Sequence, residues 1–126
     1  MSDDARVRVW RYDPTRDPRP NSAQPGDIDD RRAVLLAAPE GGADAVAWMA
    51  VDDYDGDEAT VLFAASPGEQ YLSYVSALLG AAVEEAQRLG FESLVAHWRA
   101  GWSSATAALT EAGFAETAPG IWRREL

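Results

Sequence analysis

The sequence predicts an α+β fold in which a mixed, mostly antiparallel central sheet contains one parallel pair of strands around a long helix. Three observations support this prediction. Short apolar runs separated by turn residues fill the first half of the chain, and one long segment with three- and four-residue apolar spacing follows them. A strand–helix–strand pattern then ends the sequence. The 126 residues, 47% of them apolar, suit a single domain over residues 1–126 with its own core.

The first half of the chain predicts four strands. Residues 6–12 alternate Arg with Val and Trp, as a half-buried strand does. The stretch 13–32 that follows is rich in Pro and nearly free of apolar residues, so we expect an irregular connection there. Three apolar runs joined by short turns then predict an antiparallel meander. The expected strands cover residues 6–12, 33–38, 45–51 and 60–65.

The second half predicts two helices. Apolar residues recur at helical spacing from Ser66 to Leu89, and Gly90 is placed to end that helix. A strand over residues 91–98 follows, and because a helix joins it to the strand 60–65, we expect these two strands to be parallel neighbours. A second helix over residues 103–112, ended by Gly113, and a short strand over residues 121–124 complete the order.

The charge distribution narrows the classes of partner. The net charge is −10, and between Ala33 and Gln87 the chain has ten acidic residues and no basic one. Binding to a phosphate backbone needs clustered Lys or Arg, so nucleic acid is excluded as an expected partner. A small cationic molecule fits this charge better.

Composition excludes further classes of site. The absence of Cys rules out disulfides and thiolate chemistry, and one His cannot form a multi-His metal centre, so we expect no metal site. No apolar run reaches about 18 residues, so we expect no membrane partner and a cytoplasmic protein. The exposed sheet edges of a meander are compatible with a homodimer.

Two spaced motifs carry a resemblance to a known family. In the first, Ala65-Ser66-Pro67 precedes Gln70, Ser73 and Val75, and Ser76-Ala77-Leu78-Leu79 continues into the helix. In the second, Trp102, Ala105, Ala108 and Leu109 precede Gly113-Phe114. In spacing and element order, residues 46–114 resemble the GNAT superfamily of N-acetyltransferases. The resemblance implies acetyl-CoA or another acyl-CoA as cofactor, with Ala65, Gln70, Ser73, Val75 and Ser76 at the cofactor-binding positions.

Several positions depart from the pattern of that family. Ser73 and Val75 stand where the family has small loop residues, and a β-branched side chain there is expected to crowd a phosphate. Leu109 stands at the position of the family's proton-donating Tyr and cannot donate a proton. A capping box over Ser66–Glu69 also predicts that the coenzyme loop is the first turn of the helix, with Glu69 at the anion position. The motif is therefore a degenerate one.

Other residues are candidates for the chemistry and for substrate binding. His97, near the end of the strand that follows the long helix, and Glu58 are candidate general bases. Trp98 and Trp102 flank Arg99. With Tyr71, they are candidates to line a cleft that binds a ligand. Asp52 belongs to an acidic turn, Asp52–Glu58, that could bind a cation.

Three functions remain open from the sequence. The first is a divergent GNAT-family acyltransferase that transfers an acyl group from acyl-CoA to an amine of a cationic small molecule. The second is a GNAT-fold protein that has lost coenzyme A binding and acts as a small-molecule binding or regulatory module. The third is a coenzyme-A-independent acid–base enzyme that uses the Trp-lined cleft and His97.

Overall fold

The computed structural model describes residues 7–17, 31–40, 45, 47–65, 71–97 and 103–126, and for 63–65, 71–72 and 103–105 it describes the backbone only. These residues form seven strands and two helices. In chain order the elements are β1 (Val7–Arg11), β2 (Ala33–Pro39), β3 (Ala47–Asp55), β4 (Glu58–Ala65), α1 (Tyr71–Leu89), β5 (Ser93–His97), α2 (Ser103–Glu111), β6 (Ala115–Ala118) and β7 (Ile121–Glu125).

The strands form one sheet in the order β1-β2-β3-β4-β5-β7-β6. Each neighbouring pair is antiparallel except β4 and β5, which are parallel. The connection between β4 and β5 contains α1, as a parallel pair requires. The predicted fold class, a mostly antiparallel mixed sheet with a parallel pair around a long helix, is confirmed.

The alternation of side chains along the strands separates the sheet into two faces. On one face, here called the helix face, residues such as Leu35, Met49 and Val61 pack against the apolar side of α1, including Val75 and Leu79, in one continuous core. The other face, here called the opposite face, carries a smaller buried cluster of Val34, Leu36, Trp48 and Ala50. The period of two thus sends neighbouring residues of the same strand into different environments.

Both helices end in the same way. Gly90 has φ of 89° and Gly113 has φ of 91°, a left-handed conformation that glycine adopts without steric cost. The N–H of Phe91 donates to the carbonyl of Ala86 at 3.1 Å, and the N–H of Phe114 donates to that of Leu109 at 2.9 Å. These are Schellman-type ends, and they occur at the two glycines that the sequence predicts as helix stops.

The sequence-based prediction differs from the structure at two places. The strand β6 was not predicted, because Ala115–Ala118 is exposed throughout and shows no apolar alternation. It pairs with β7 through a turn at Pro119-Gly120, and Gly120 has φ of 77°. The acidic segment predicted as a turn is mostly strand, since β3 extends to Asp55 and β4 begins at Glu58.

Two predictions fall partly outside the described residues. The irregular connection predicted over 13–32 is described only at its ends, where Asp13 accepts hydrogen bonds from the backbone and hydroxyl of Thr15 at 2.9 and 2.6 Å. The predicted start of the long helix at Ser66 lies outside the described residues. Neither described helix has the length and apolar character needed to cross a membrane.

A buried carboxylate connects the edge of the sheet to α1. Glu85, whose side chain is 11% exposed, accepts hydrogen bonds from Arg88 at 2.8 Å and from Arg11 of β1 at 2.7 Å. The hydrogen bonds from Arg88 and then Arg11 lower the pKa of Glu85 despite its desolvation. This ion pair fixes β1, an edge strand, against the helix.

Candidate functional site

The parallel strands β4 and β5 pair over only part of their length. Their register runs from Glu58 opposite Ser93 to Val61 opposite Ala96. Beyond Val61, the described residues of β4 continue to Ala65 and pair with β3. His97, the residue after Ala96, pairs with Ile121 of β7. The described pairing between the two central strands therefore stops at Val61 and Ala96, and this end of the pair is here called the divergence. Ligands commonly bind at the carboxyl ends of parallel strands in open sheets.

His97 is the last residue of β5 and lies at this point of divergence. Its side chain is exposed, and by strand alternation it is on the opposite face of the sheet. The ring of Tyr54 lies against it, with the ring centroids 5.4 Å apart and the planes inclined at 54°. Tyr54 is itself 50% exposed, so the pair forms an accessible surface that carries an imidazole and a phenol.

Glu58, the other candidate base, lies at the far end of the parallel pair. It is opposite Ser93, four residues before His97, which corresponds to about 13 Å along a strand. The buried Ser93 hydroxyl donates to its carboxylate at 2.9 Å, and Arg123 lies 3.1 Å from the same oxygen. The structure therefore does not bring Glu58 and His97 together, and it places Glu58 in a hydrogen-bonded ion pair.

Asp52, the candidate cation-binding residue, already has a cationic partner. Arg31 donates to its carboxylate at 2.9 Å, and both side chains are 24% exposed. The next carboxylate, Asp53, lies 4.0 Å from Arg32 in a much more exposed pair. These two arginines neutralise part of the acidic segment, so a cationic ligand at Asp52 has to compete with Arg31.

Two carboxyl groups, those of Asp57 and Glu92, come close together at the tip of the β3–β4 hairpin. Glu92 donates its backbone N–H to the carbonyl of Asp57 at 2.8 Å, which brings the two side chains close. Hydrogen bonding and repulsion between the carboxyl groups raise the pKa of Glu92, with a smaller contribution from Glu125. The neighbouring carboxylates therefore disfavour the ionised form of Glu92.

The predicted cofactor-binding residues occupy different environments. Val75 is fully buried in the core of the helix face. Ser73 is half-buried and Ser76 exposed on the first two turns of α1. Ala65 ends β4 opposite Ala47. Gln70 lies outside the described residues.

The aromatic residues predicted to line a cleft are only partly described. Tyr71 begins α1, and only its backbone is described. Trp98 and Trp102 follow β5 and precede α2, and both lie outside the described residues. Leu109, which the family pattern places at the proton donor, is fully buried in the core of the helix face.

Sequence reasoning missed two side chains near this region. Tyr54 falls within the predicted acidic turn, and its ring contact joins β3 to His97 of β5 across β4, so no local pattern indicates it. Trp48 is 4% exposed on β3, opposite Ala64 of β4, and its indole nitrogen has no hydrogen-bond partner in the described part of the chain. A buried donor without a partner costs about 1–3 kcal/mol. Alternation predicts that Trp48 is buried, but it cannot predict an unpaired donor.

Comparison with known proteins identifies solved structures with a similar fold. No protein-family model matches the chain, and no curated protein does. Among solved structures, an IAA acetyltransferase from Bacillus cereus superposes with a TM-score of 0.69 at 16% identity, covering 95% of this chain and 99% of that one. The ribosomal-protein-S18-alanine N-acetyltransferase from Escherichia coli gives 0.62 at 22% identity, covering 76% and 70%.

A third similar structure contains a cofactor. It is a proposed acetyltransferase from Salmonella typhimurium, solved with acetyl-CoA, and it superposes with a TM-score of 0.65 at 18% identity. The similarity covers 75% of this chain and 64% of that one, so the chain spans slightly less than two thirds of that relative. Identities this low establish architecture alone. The chain thus has the fold of the GNAT superfamily of acetyltransferases.

Proposed function

We propose that this chain is a divergent acyl-CoA-dependent N-acyltransferase that acts on an amine of a cationic small molecule. The end of the described β4–β5 pairing at Val61 and Ala96 is the observation that supports it best. An edge of β4 and an exposed imidazole lie together at that point, so one ligand can contact main-chain groups and a potential base at once.

The residues at the divergence suit the extended part of coenzyme A. Leu62–Ala65 pair with β3 on one side, and among the described residues their other main-chain edge has no pairing with β5. The arm of coenzyme A carries amide groups that can pair with such an edge, as an added strand does. When bound, acyl-CoA supplies a thioester carbonyl that main-chain donors of β4 can polarise.

Phosphate recognition in this chain would depend on α1. No basic residue lies between Ala33 and Gln87, so the phosphates meet no nearby cationic side chain in that segment. The N-terminal region of a 19-residue helix favours anions through its dipole and its main-chain N–H groups. The hydroxyls of Ser73 and Ser76 are available on its first turns, whereas Val75 packs inward.

His97 is the residue that we assign to proton transfer. An amine reaches the site as its ammonium form and must lose a proton before its lone pair can attack a carbonyl. The exposed imidazole of His97 lies where β4 and β5 separate, and Tyr54 limits its ring orientations by packing against it. Glu58 is at the other end of the pair, so His97 is the better-placed base.

The acidic surface supports a cationic acceptor. Asp53, Asp55 and Asp57 are exposed at the β3–β4 hairpin, next to the exposed ring of Tyr54. Exposed charges of one sign raise the local concentration of oppositely charged ligands and speed their association. This contribution is screened by salt, so we expect KM for the acceptor to rise between low salt and about 0.15 M.

Calorimetry with acetyl-CoA, together with an assay of thiol release, tests the proposal. We expect micromolar binding of acetyl-CoA, and thiol release that depends on an added amine such as spermidine. His97→Gln is expected to keep acetyl-CoA binding and to lower thiol release by about 10²–10⁴-fold, the usual contribution of a general base. Glu84→Gln, on an exposed residue of α1, is the matched control and should change neither quantity.

Two results would contradict the proposal. Absence of acetyl-CoA binding at millimolar concentration would favour a GNAT-fold binding module that has lost coenzyme A. If His97→Gln releases thiol at the full rate, the acyltransferase activity stands but the assignment of His97 as the general base fails. The two results are distinguishable because one is measured without an acceptor.

A further inference from the structure

Two large apolar side chains are exposed among the side chains that the structure describes. They are Tyr54, which is 50% exposed, and Leu62, which is 38% exposed. Single exposed apolar residues are common on protein surfaces and need no explanation. These two, however, both lie beside His97, so the candidate base has an exposed apolar border.

Leu62 and Ile121 flank His97 on the two neighbouring strands. Ile121, half-buried on β7, is the register partner of His97. On the other side, the last described pair of β4 and β5 is Val61 with Ala96, and both of these side chains are in the core of the helix face. Leu62 and His97 are the next residues of the same two strands, so alternation places both on the opposite face, together with Ile121.

Tyr54 borders His97 from a third direction. The register of β3 with β4 shifts between Asp53 and Asp55, so Tyr54 lies at a bulge, a feature that changes the direction of a side chain. Its ring reaches across β4 to within 5.4 Å of the imidazole, measured between centroids. The side chains of Tyr54, Leu62, His97 and Ile121 are here called the His97 patch.

The His97 patch suits a small molecule better than a protein partner. It has four side chains, whereas a stable protein interface takes about 20–30 residues from each partner. The exposed carboxylates of Asp55 and Asp57 on the neighbouring hairpin favour a positively charged group near it. An apolar border beside an imidazole and an acidic hairpin matches a ligand that combines an apolar group with an ammonium.

We propose that the His97 patch binds the acceptor, and that the acceptor is a primary amine with an alkyl or aromatic group close to its nitrogen. The nitrogen lies at the imidazole of His97, and the apolar group packs against Leu62 and Ile121. Side chains paired across neighbouring strands have Cβ atoms about 4.5–5.5 Å apart, so a group a few carbons from the nitrogen reaches Ile121. This inference rests on the proposed function, and it narrows the acceptor from cationic molecules to apolar amines.

NMR titration with two matched amines tests this inference. Heptylamine and 2-(2-methoxyethoxy)ethylamine have the same chain length and charge, but the second has ether oxygens in place of two methylenes. The full chain is titrated without acetyl-CoA, and the methyl signals of Leu62 and Ile121 are recorded with the ring signals of His97, the one histidine of the sequence. We expect heptylamine to shift all three and to bind about tenfold more tightly than the ether, because its extra methylenes gain from contact with apolar side chains.

Variants measure how much of this discrimination comes from the patch. Leu62→Asn removes an exposed apolar side chain, so we expect the ratio of the two affinities to fall to about threefold or less. Leu89→Asn makes the same substitution at the end of α1, in a residue that packs against the core of the helix face, and should preserve the ratio.

Three results would overturn the inference. The first is equal affinity of the wild-type chain for the two amines, and the second is an unchanged ratio in Leu62→Asn. The third is a shift of the Leu62 and Ile121 signals with protein concentration alone, which would assign the patch to contact with a second copy of the chain. The wild-type titration decides the question even if Leu62→Asn does not fold.

Failure of this inference is distinguishable from failure of the acyltransferase proposal. If heptylamine is preferred while acetyl-CoA fails to bind in calorimetry, the His97 patch stands as a ligand site and the acyltransferase proposal fails. If acetyl-CoA binds and spermidine supports thiol release as well as heptylamine does, the acyltransferase proposal stands and the narrower acceptor class is overturned.

Discussion

The two faces of the sheet contain different kinds of residue although they share the same strands. The helix face is a continuous apolar core in which residues such as Leu78, Leu94 and Leu109 are fully buried. Among the described residues, the buried cluster of the opposite face consists of Val34, Leu36, Trp48 and Ala50. The opposite face also carries the Arg31–Asp52 and Arg123–Glu58 ion pairs and the contact between Tyr54 and His97. Stability therefore depends mainly on one face, while the groups capable of chemistry lie on the other.

The largest effect is expected in the core of the helix face. Leu78→Ala removes a fully buried side chain between α1 and the sheet, and we expect the free energy of unfolding to fall by about 2–5 kcal/mol. Glu84→Ala, on the exposed side of the same helix, should change it by less than about 0.5 kcal/mol. Urea unfolding of both variants measures the difference. Similar losses in the two variants would contradict the assignment of the core.

A smaller effect is expected from the polar network of the opposite face. The hydroxyl of Ser93 is buried and lies between Glu58, to which it donates at 2.9 Å, and Arg123, which donates to it at 3.3 Å. Ser93→Ala leaves these two charged groups without that bridge, so we expect a loss of about 1–3 kcal/mol. Ser76→Ala changes an exposed hydroxyl on α1 and serves as the comparison in the same unfolding experiment.

The Ser93 variant also tests whether Glu58 is structural. Because Glu58 is held by Ser93 and Arg123 at the closed end of the parallel pair, Ser93→Ala is expected to lower stability and to leave acetyl-CoA binding unchanged. A large loss of acetyl-CoA affinity at a temperature where the variant is fully folded would place the ligand at this end of the sheet. Calorimetry under folded conditions makes that distinction.

The smallest of these effects depends on pH. Arg88 and Arg11 lower the pKa of Glu85 below its ordinary value of 4.5. The folded chain therefore stabilises the ionised carboxylate more than the unfolded chain does. Its contribution to stability is therefore fully present above pH 4.5 and is lost as the pH falls through the lowered pKa of the folded state. We expect Glu85→Gln to cost about 1 kcal/mol at pH 7.

The difference between wild type and Glu85→Gln should shrink as the pH falls below about 4. Urea unfolding at several pH values between 3 and 7 measures it, and Glu84→Gln, its exposed neighbour, should follow the wild type throughout. A Glu85→Gln difference that is constant with pH would show that the carboxylate contributes through packing and not through charge.

The sequence predicts the helix face better than the opposite face, and the reason is physical. Helical spacing from Leu72 to Ala86 and alternation in β2 depend on local periodicity, which is visible in the residues themselves. The strand β6 has no buried side chain and thus no such signal. The Arg31–Asp52 pair joins residues 21 apart, and Tyr54 of β3 reaches His97 of β5 across β4, so both depend on tertiary register.

The candidate site could be predicted only in part for the same reason. Two features could be inferred from the sequence: that Ala65 ends the strand before the long helix, and that His97 lies near the end of the strand after it. Both follow from the order of strands and helices along the chain. The burial of Val75 could not be inferred, since the spacing of a loop motif does not reveal that the side chain packs into the core between α1 and the sheet. The unpaired indole N–H of Trp48 could not be predicted either, because it depends on which side chains surround it in the fold.

Backbone NMR with acetyl-CoA tests the central claim that the ligand binds where β4 and β5 diverge. The amide signals of Ala64, Ala65 and His97 report on the open end of the parallel pair, and those of Glu58 and Ser93 report on its closed end. We expect saturating acetyl-CoA to shift the first group strongly and the second group little. Shifts centred on Glu58 and Ser93, or no shift in either group, would contradict the account.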